Sequence, residues 1–165
     1  MNQTCRRAWL ITNFSPPQII IGYKSILPTD LVVAVDAGYQ RCLELNLEPD
    51  VLLGDFDSLA PELLAQVPAT CQKLTFPGMK NETDTQLAVE YCREQGIEEV
   101  FICNDLSGRF DHALALVQNL QQAKLHSLKA YIYSETQILT ILDAVNHFTY
   151  PIDSILSLIS LHVTT

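Results

Sequence analysis

VLLGDFDSLA, residues 51–60, runs from a short apolar strand into a turn that carries two acids. Val51-Leu52-Leu53 is apolar on both faces, as a strand inside a covered parallel sheet is. Gly54 follows, then Asp55 and Asp57 at alternate positions. In extended backbone those two carboxylates project to one side while Phe56 turns back toward the protein. Two carboxylates about 4 Å apart repel by roughly 4 kcal/mol at an effective dielectric near 20. Something must offset that charge.

Segments of the same kind recur outward in both directions. AWLIT (8–12), LVVAV (31–35), KLTF (73–76), VFIC (100–103) and KAYIY (129–133) read as buried strands, with Trp9 expected in the core. Amphipathic stretches separate them. Leu87, Ala88, Tyr91 and Cys92 form one helical stripe, closed by Gly96, and Phe110, Leu114, Val117 and Leu120 form another. Both stripes are read as core-packing faces. The alternation predicts an α/β fold over residues 1–135: a Rossmann-like three-layer α/β/α arrangement with a mostly parallel sheet. Such sheets bind ligands beyond the carboxyl ends of their strands.

After Glu135 the pattern changes. TQILTIL (136–142), HFTY (147–150) and SILSLISLHV (154–163) follow without a helical segment, with turns at Asn146 and Pro151-Ile152-Asp153. Residues 136–165 read as the start of a second, antiparallel β domain. About thirty residues cannot bury a core of their own. The unit is therefore expected to be a truncated domain or to need a partner chain.

Composition restricts the function. The chain has 165 residues, 48% of them hydrophobic and 18% charged, and a net charge of −9. That suits a folded domain with a sizeable core. It excludes nucleic-acid binding through a broad basic surface, which depends on Lys and Arg neutralising phosphates. Cys5, Cys42, Cys71, Cys92 and Cys103 are widely spaced with no CxxC pair. They read as reduced, mostly buried thiols of a cytoplasmic protein. Arg6-Arg7 before AWLIT resembles the start of a signal peptide, but the apolar run is too short for one, and no run is long enough to span a membrane.

The strand ends share one chemistry. LVVAV ends in Asp36-Ala37-Gly38, and VLL in Gly54-Asp55-Phe56-Asp57-Ser58. KLTF leads to Lys80 and Thr83-Asp84, and VFIC to Gly108-Arg109-Phe110-Asp111-His112. A hard divalent cation offsets crowded carboxylates, and Mg²⁺ takes one or two of them together with substrate phosphates. Arg109 as a planar fork and Lys80 as a point charge suit the phosphates themselves. Gly38, Gly54 and Gly108 remove side chains where backbone must approach a ligand. Thr83-Asp84 opens a helix whose free N–H groups favour anions.

Each residue also has a plainer reading. Asp36 and Asp84 fit helix N-caps as well as ligands, and Ser58 is expected to cap the helix that Pro61 begins. Arg109 and Asp111 fit a surface ion pair, and His112 a first-turn helical residue. His126, His147 and His162 lack a carboxylate or Cys partner at useful spacing and read as structural or surface groups. No Walker A loop, G-x-S-x-G or HExxH occurs. It is the convergence of four strand ends on one edge that points to a site.

The set GDFDS, KNETDTQLA and SGRFDH resembles the thiamine pyrophosphokinase family, whose motifs run as an aspartate-glycine turn, GDFDS, KDxTDxxxA and GGRxDH. The match spans about residues 8–145, in order. The resemblance implies a kinase-type transferase, a thiamine diphosphokinase that moves a pyrophosphoryl group from ATP to thiamine, leaving thiamine diphosphate and AMP. It implies Asp36, Asp55, Asp57 and Asp84 as Mg²⁺/ATP carboxylates, and Thr83, Arg109, Asp111 and His112 as nucleotide and phosphate contacts. Asp55, Asp57 and Asp84 remain alternatives for the group that accepts the thiamine hydroxyl proton. Ala37, Tyr39, Asn81 and Ser107 depart from the family pattern, and none removes a carboxylate assigned to the metal. The family's β-sandwich encloses thiamine through a homodimer, and SILSLISLHVTT resembles its beginning. Two rival functions stand beside this one: a pyrophosphokinase acting on 6-hydroxymethyl-dihydropterin, and a non-catalytic nucleotide- or thiamine-binding remnant.

Overall fold

The computed structural model describes residues 6–17, 25–76, 82–149 and 152–160. Its strands are β1 (Arg7–Ile11), β2 (Leu31–Val35), β3 (Val51–Gly54), β4 (Gln72–Thr75), β5 (Glu99–Cys103), β6 (Lys129–Tyr133) and β7 (Ile138–Thr140). They form a 7-stranded sheet in the order β4-β3-β2-β1-β5-β6-β7. All neighbours pair parallel except β6 and β7. The expected α/β fold is present, and the six expected strands lie within one residue of their expected bounds.

Side-chain alternation divides the core between the two faces of the sheet. Ala8, Leu10, Val33, Leu53 and Ile102 pack with α3 (Asp84–Glu94) and α4 (Phe110–Leu125). Trp9, Ile11, Ala34, Leu52 and Phe101 face the other way, with residues of α1 (Gly38–Glu44) and α2 (Pro61–Gln66). Each fully buried aliphatic side chain contributes about 1.5–3 kcal/mol. On the second face the Trp9 ring stacks on Phe101 at 4.5 Å and meets Tyr133 edge-on at 5.7 Å. The Trp9 indole donates to Asp30 Oδ2 at 2.8 Å, and Arg7 Nε donates to Asp30 Oδ1 at 2.9 Å. These bonds fix the entry to β2.

One helical stripe differs from expectation. Phe110 is 76% exposed and Leu114 is 49% exposed, while α4 buries Leu116, Asn119, Leu120 and Ala123. The first turn of α4 stands at the strand-end edge, where the sheet offers nothing to pack on. A buried asparagine then takes a slot that a purely apolar pattern overlooks. The C-terminal region differs as well. Ile138–Thr140 pairs antiparallel with β6 at the far edge of this same sheet. Residues 147–149 and 154–160 contain no strand, and Ile155 and Ile159 are 94% and 80% exposed. A strand exists by its ladder of backbone bonds, and the expected strands there are not formed among the described residues. Cys42, Cys71, Cys92 and Cys103 are free and buried, as expected, and burial pushes the Cys42 and Cys92 thiols up to about 12. Cys5 lies outside the described residues. Among the described residues no helix is long and apolar enough to cross a membrane.

Candidate active site at the strand ends

Parallel pairing brings the carboxyl ends of β1 to β5 to one edge, and the densest charge there comes from β2 and β3. Asp36 leaves β2 in a left-handed conformation (φ 48°), and its N–H donates to the Leu53 carbonyl of β3 at 2.8 Å. Its carboxylate turns across Gly54. A Cβ at residue 54 would lie 3.1 Å from the Asp36 Cβ and 3.3 Å from its Oδ1, so only glycine leaves that space. Asp36 Oδ1 is buried without a hydrogen-bond partner, while Oδ2 accepts the Ser58 hydroxyl. Asp57 N–H donates to Asp55 Oδ1 at 3.1 Å, which curls the turn. The result is a trio: ligand atoms of Asp36, Asp55 and Asp57 all lie within 4.8 Å of one another.

That crowding shows in the charge of Asp36. Burial holds its carboxyl above the usual range, with the Asp84 and Asp55 charges adding to the effect. The Ser58 hydroxyl and the Ala37 N–H act in the opposite direction. Ser58 Oγ also lies 3.0 Å from Asp57 Oδ1, and its single proton serves one carboxylate at a time.

Several sequence expectations are corrected here. Ser58 caps no helix: the N-cap of α2 is Ala60, and no side chain makes a capping bond there. A charge-assisted bond to Asp36 is the stronger use of the hydroxyl. Asp36 is not a cap either, since Ala37 precedes α1 and makes no side-chain capping bond. Gly38 serves packing rather than ligand approach, because a Cβ there would sit 1.9 Å from the Ile11 carbonyl oxygen. At α3 the cap is Thr83, whose hydroxyl accepts Gln86 N–H at 3.2 Å. Asp84 is the first helical residue and stands outside the trio, close enough to act on Asp36. Lys80 lies outside the described residues.

At the end of β5, Arg109 takes the N-cap position of α4 and Gly108 precedes it with φ 87°. The Arg109 Nε donates to Asp111 Oδ1 at 3.1 Å, with the two side chains 71% and 62% exposed. The bond from Arg109 holds the Asp111 carboxyl below its usual range. His112 is exposed, and its N–H donates to Asp111 Oδ1 at 3.1 Å. His126 and His147 are exposed, as expected of surface groups, and His162 lies outside the described residues.

Sequence reasoning missed the end of β1. Thr12 Oγ1 donates to the Cys103 carbonyl at 2.7 Å, Asn104 Nδ2 donates to Thr12 Oγ1 at 2.9 Å, and Asp105 N–H donates to the Phe14 carbonyl at 2.8 Å. TNFS (12–15) carries no charge to draw notice, although the strand-end rule points to it as firmly as to the other ends. Concavity is a poorer guide. A cavity of about 280 Å³ between α3 and α4, lined by Gln86, Arg93, Asn119 and His126, touches none of the strand-end aspartates of the trio.

Comparison with known proteins identifies the family and the fold. The family model for the thiamin pyrophosphokinase catalytic domain matches residues 24–132. The thiamine pyrophosphokinase of Bacillus subtilis (strain 168) is 27% identical over 117 residues, which cover 66% of this chain and 55% of the relative. The solved structure of a thiamin pyrophosphokinase family protein from Enterococcus faecalis superposes with a TM-score of 0.60 at 29% identity, covering 75% of this chain and 60% of that one. The structure of the Bacillus subtilis thiamine pyrophosphokinase superposes at 0.66 with 20% identity, covering 82% and 63%, and shows the shared fold. The chain thus spans somewhat more than half the length of the curated relative it matches.

Proposed function

The chain belongs to the thiamin pyrophosphokinase family, and from that premise we propose that it is a thiamine diphosphokinase. It transfers a pyrophosphoryl group from ATP to the hydroxyl of thiamine, giving thiamine diphosphate and AMP. The observation that carries this reading is the trio of Asp36, Asp55 and Asp57 at the strand-end edge, with a buried Asp36 oxygen that has no partner.

Those donors fit a hard cation: all are carboxylate oxygens, and their mutual repulsion calls for positive charge. Asp36, Asp55 and Asp57 would hold Mg²⁺ there, and the ion would supply positive charge to offset that of the triphosphate. The remaining work falls to the chain itself. Arg109 reaches the phosphates as a fork, and the N-terminal end of α3 behind Thr83 offers a second anion contact. Gly108, Asp111 and His112 shape the nucleotide side of the edge, with Lys80 contributing a further cation. Asp84, outside the trio, accepts the thiamine hydroxyl proton as oxygen attacks the β-phosphorus in line. Most of the acceleration is positioning and electrostatic stabilisation.

Residues 136–165 we read as the start of a β unit that packs against more sheet. The exposed apolar side chains of Ile152, Ile155, Leu158 and Ile159 support a homodimeric partner for that surface. One other reading stands beside it, a nucleotide- or thiamine-binding module without turnover.

The protein incubated with ATP, MgCl₂ and thiamine, and in parallel with 6-hydroxymethyl-dihydropterin, is expected to release AMP with thiamine alone. AMP formed only with the pterin rejects the acceptor. Nucleotide binding without AMP in either arm selects the binding module.

A further inference from the structure

The strand order reverses beside β1: β1 to β4 run to one side of it, and β5 and β6 to the other. Nucleotides bind in the crevice that such a reversal opens between neighbouring strand ends. Here the reversal falls between the turn after β1 and the loop after β5, and Phe14 stands at that point, its ring tip beside Gly108.

A lone exposed phenylalanine carries little meaning by itself. Phe14 differs in how firmly it is held. Ser15 N–H donates to the Thr12 carbonyl at 3.1 Å, and Thr12 N–H donates to Ser15 Oγ at 2.9 Å, closing a tight turn around it. Ser15 Oγ reaches the Cys103 carbonyl at 2.9 Å, and Arg41 Nε donates to the Ser15 carbonyl at 3.1 Å. The Phe14 carbonyl accepts Asp105 N–H at 2.8 Å. A turn so bound cannot swing its aromatic ring into the core, and the side chain stays 42% exposed. The tip of the ring rests on Gly108, where a Cβ would lie 3.2 Å from Cζ. Any larger residue at 108 would displace the ring, so the glycine beside Arg109 is also the seat of Phe14.

We infer that Phe14 is the base-stacking residue of this chain: the purine of the nucleoside triphosphate lies on its exposed face. The inference rests on the nucleotide reading of the strand-end edge. An aromatic platform fixed in advance loses little freedom on binding, and base stacking on such a ring is worth about tenfold in affinity.

Calorimetric titration of the full chain with MgATP, and separately with magnesium tripolyphosphate, tests it in wild type, Phe14→Ala and Phe14→Trp. Phe14→Ala is expected to bind ATP about tenfold more weakly and tripolyphosphate as wild type does, and Phe14→Trp to restore ATP binding. Unchanged ATP affinity in Phe14→Ala overturns the assignment, and so does an equal loss for both ligands. A raised thiamine KM with unchanged ATP affinity overturns it as well, by moving the ring to the acceptor. Wild-type protein that binds neither ligand overturns the nucleotide reading of the whole edge, and this assignment with it.

Discussion

The Ser58 hydroxyl donates to Asp36 and so bridges the ends of β2 and β3. It works against burial, which favours the neutral carboxyl. A carboxyl raised above its unfolded value stabilises the fold fully below the ordinary carboxylate range and loses that contribution as pH rises through the folded value. Ser58→Ala removes a donor to the charged form, so the loss should steepen. Melting followed from about pH 4 to about pH 7 is expected to show the variant near wild type at the acid end and about 1 kcal/mol weaker at the neutral end. An equal deficit at both ends would show that the hydroxyl serves packing alone.

Crowding three carboxylates trades stability for binding. Asp36→Asn, Asp55→Asn and Asp57→Asn, made singly, should each melt higher than wild type without metal, because each removes one repelling charge. Each should also lose most of the stabilisation that MgCl₂ gives wild type, about 2.7 kcal/mol at a hundred times the dissociation constant. Magnesium-dependent turnover should vanish with it. A full Mg²⁺ shift in all three variants would remove the trio from the metal site.

The sheet was legible because buried parallel strands are apolar on both faces, and Val51-Leu52-Leu53 or Val32-Val33-Ala34 admit no other reading. The site's edge was legible because four strand ends deliver acids, glycines and an arginine to it together, although each residue alone also fits a cap or a surface pair. Contacts between residues far apart in sequence were not. Nothing near Ser58 says that its partner lies 22 residues earlier, since local spacing offers only the helix start at Pro61. The role of Gly38 depends on the carbonyl of Ile11, and that of Gly108 on the ring of Phe14. Each is a relation that exists only once β1 lies between β2 and β5.

Gly38 makes a direct test of that geometry. Its missing side chain leaves room for the Ile11 carbonyl, which an alanine Cβ would approach to 1.9 Å. Backbone cannot yield there without lifting α1 from the sheet. Gly38→Ala should cost at least about 2 kcal/mol in urea unfolding, despite alanine's better helix propensity. A stabilised variant would mean that α1 does not sit this close to β1.

Asp30 governs stability at low pH. Burial alone would raise its carboxyl, but hydrogen bonds from Arg7, the Leu27 N–H and the Trp9 indole outweigh it and hold the carboxyl below the usual range. A depressed carboxyl contributes stability above its unfolded value and loses it as pH falls through the folded one, here below about pH 4. Asp30→Ala takes the carboxylate away from Arg7 and from the buried indole N–H together, and is expected to cost about 3–5 kcal/mol at neutral pH. The variant's stability should also fall less steeply than wild type's in acid. Acid titrations that fall with equal slope in the two proteins would reject the assignment.

Arg109 separates catalysis from folding. Its bond to Asp111 joins two side chains that are 71% and 62% exposed, and such surface pairs contribute little to stability. Its fork stands at the N-cap of α4, on the edge that carries the aspartates. Arg109→Ala should therefore melt close to wild type while kcat/KM for ATP falls about a hundredfold. Arg109→Lys keeps the charge but not the planar fork, and should recover only part of the loss. Asp111→Asn frees the fork from its carboxylate partner, so it should lower turnover far less than Arg109→Ala does. Equal losses in melting and turnover for Arg109→Ala would assign the residue to the fold, and full recovery by lysine would assign it a charge without a geometry.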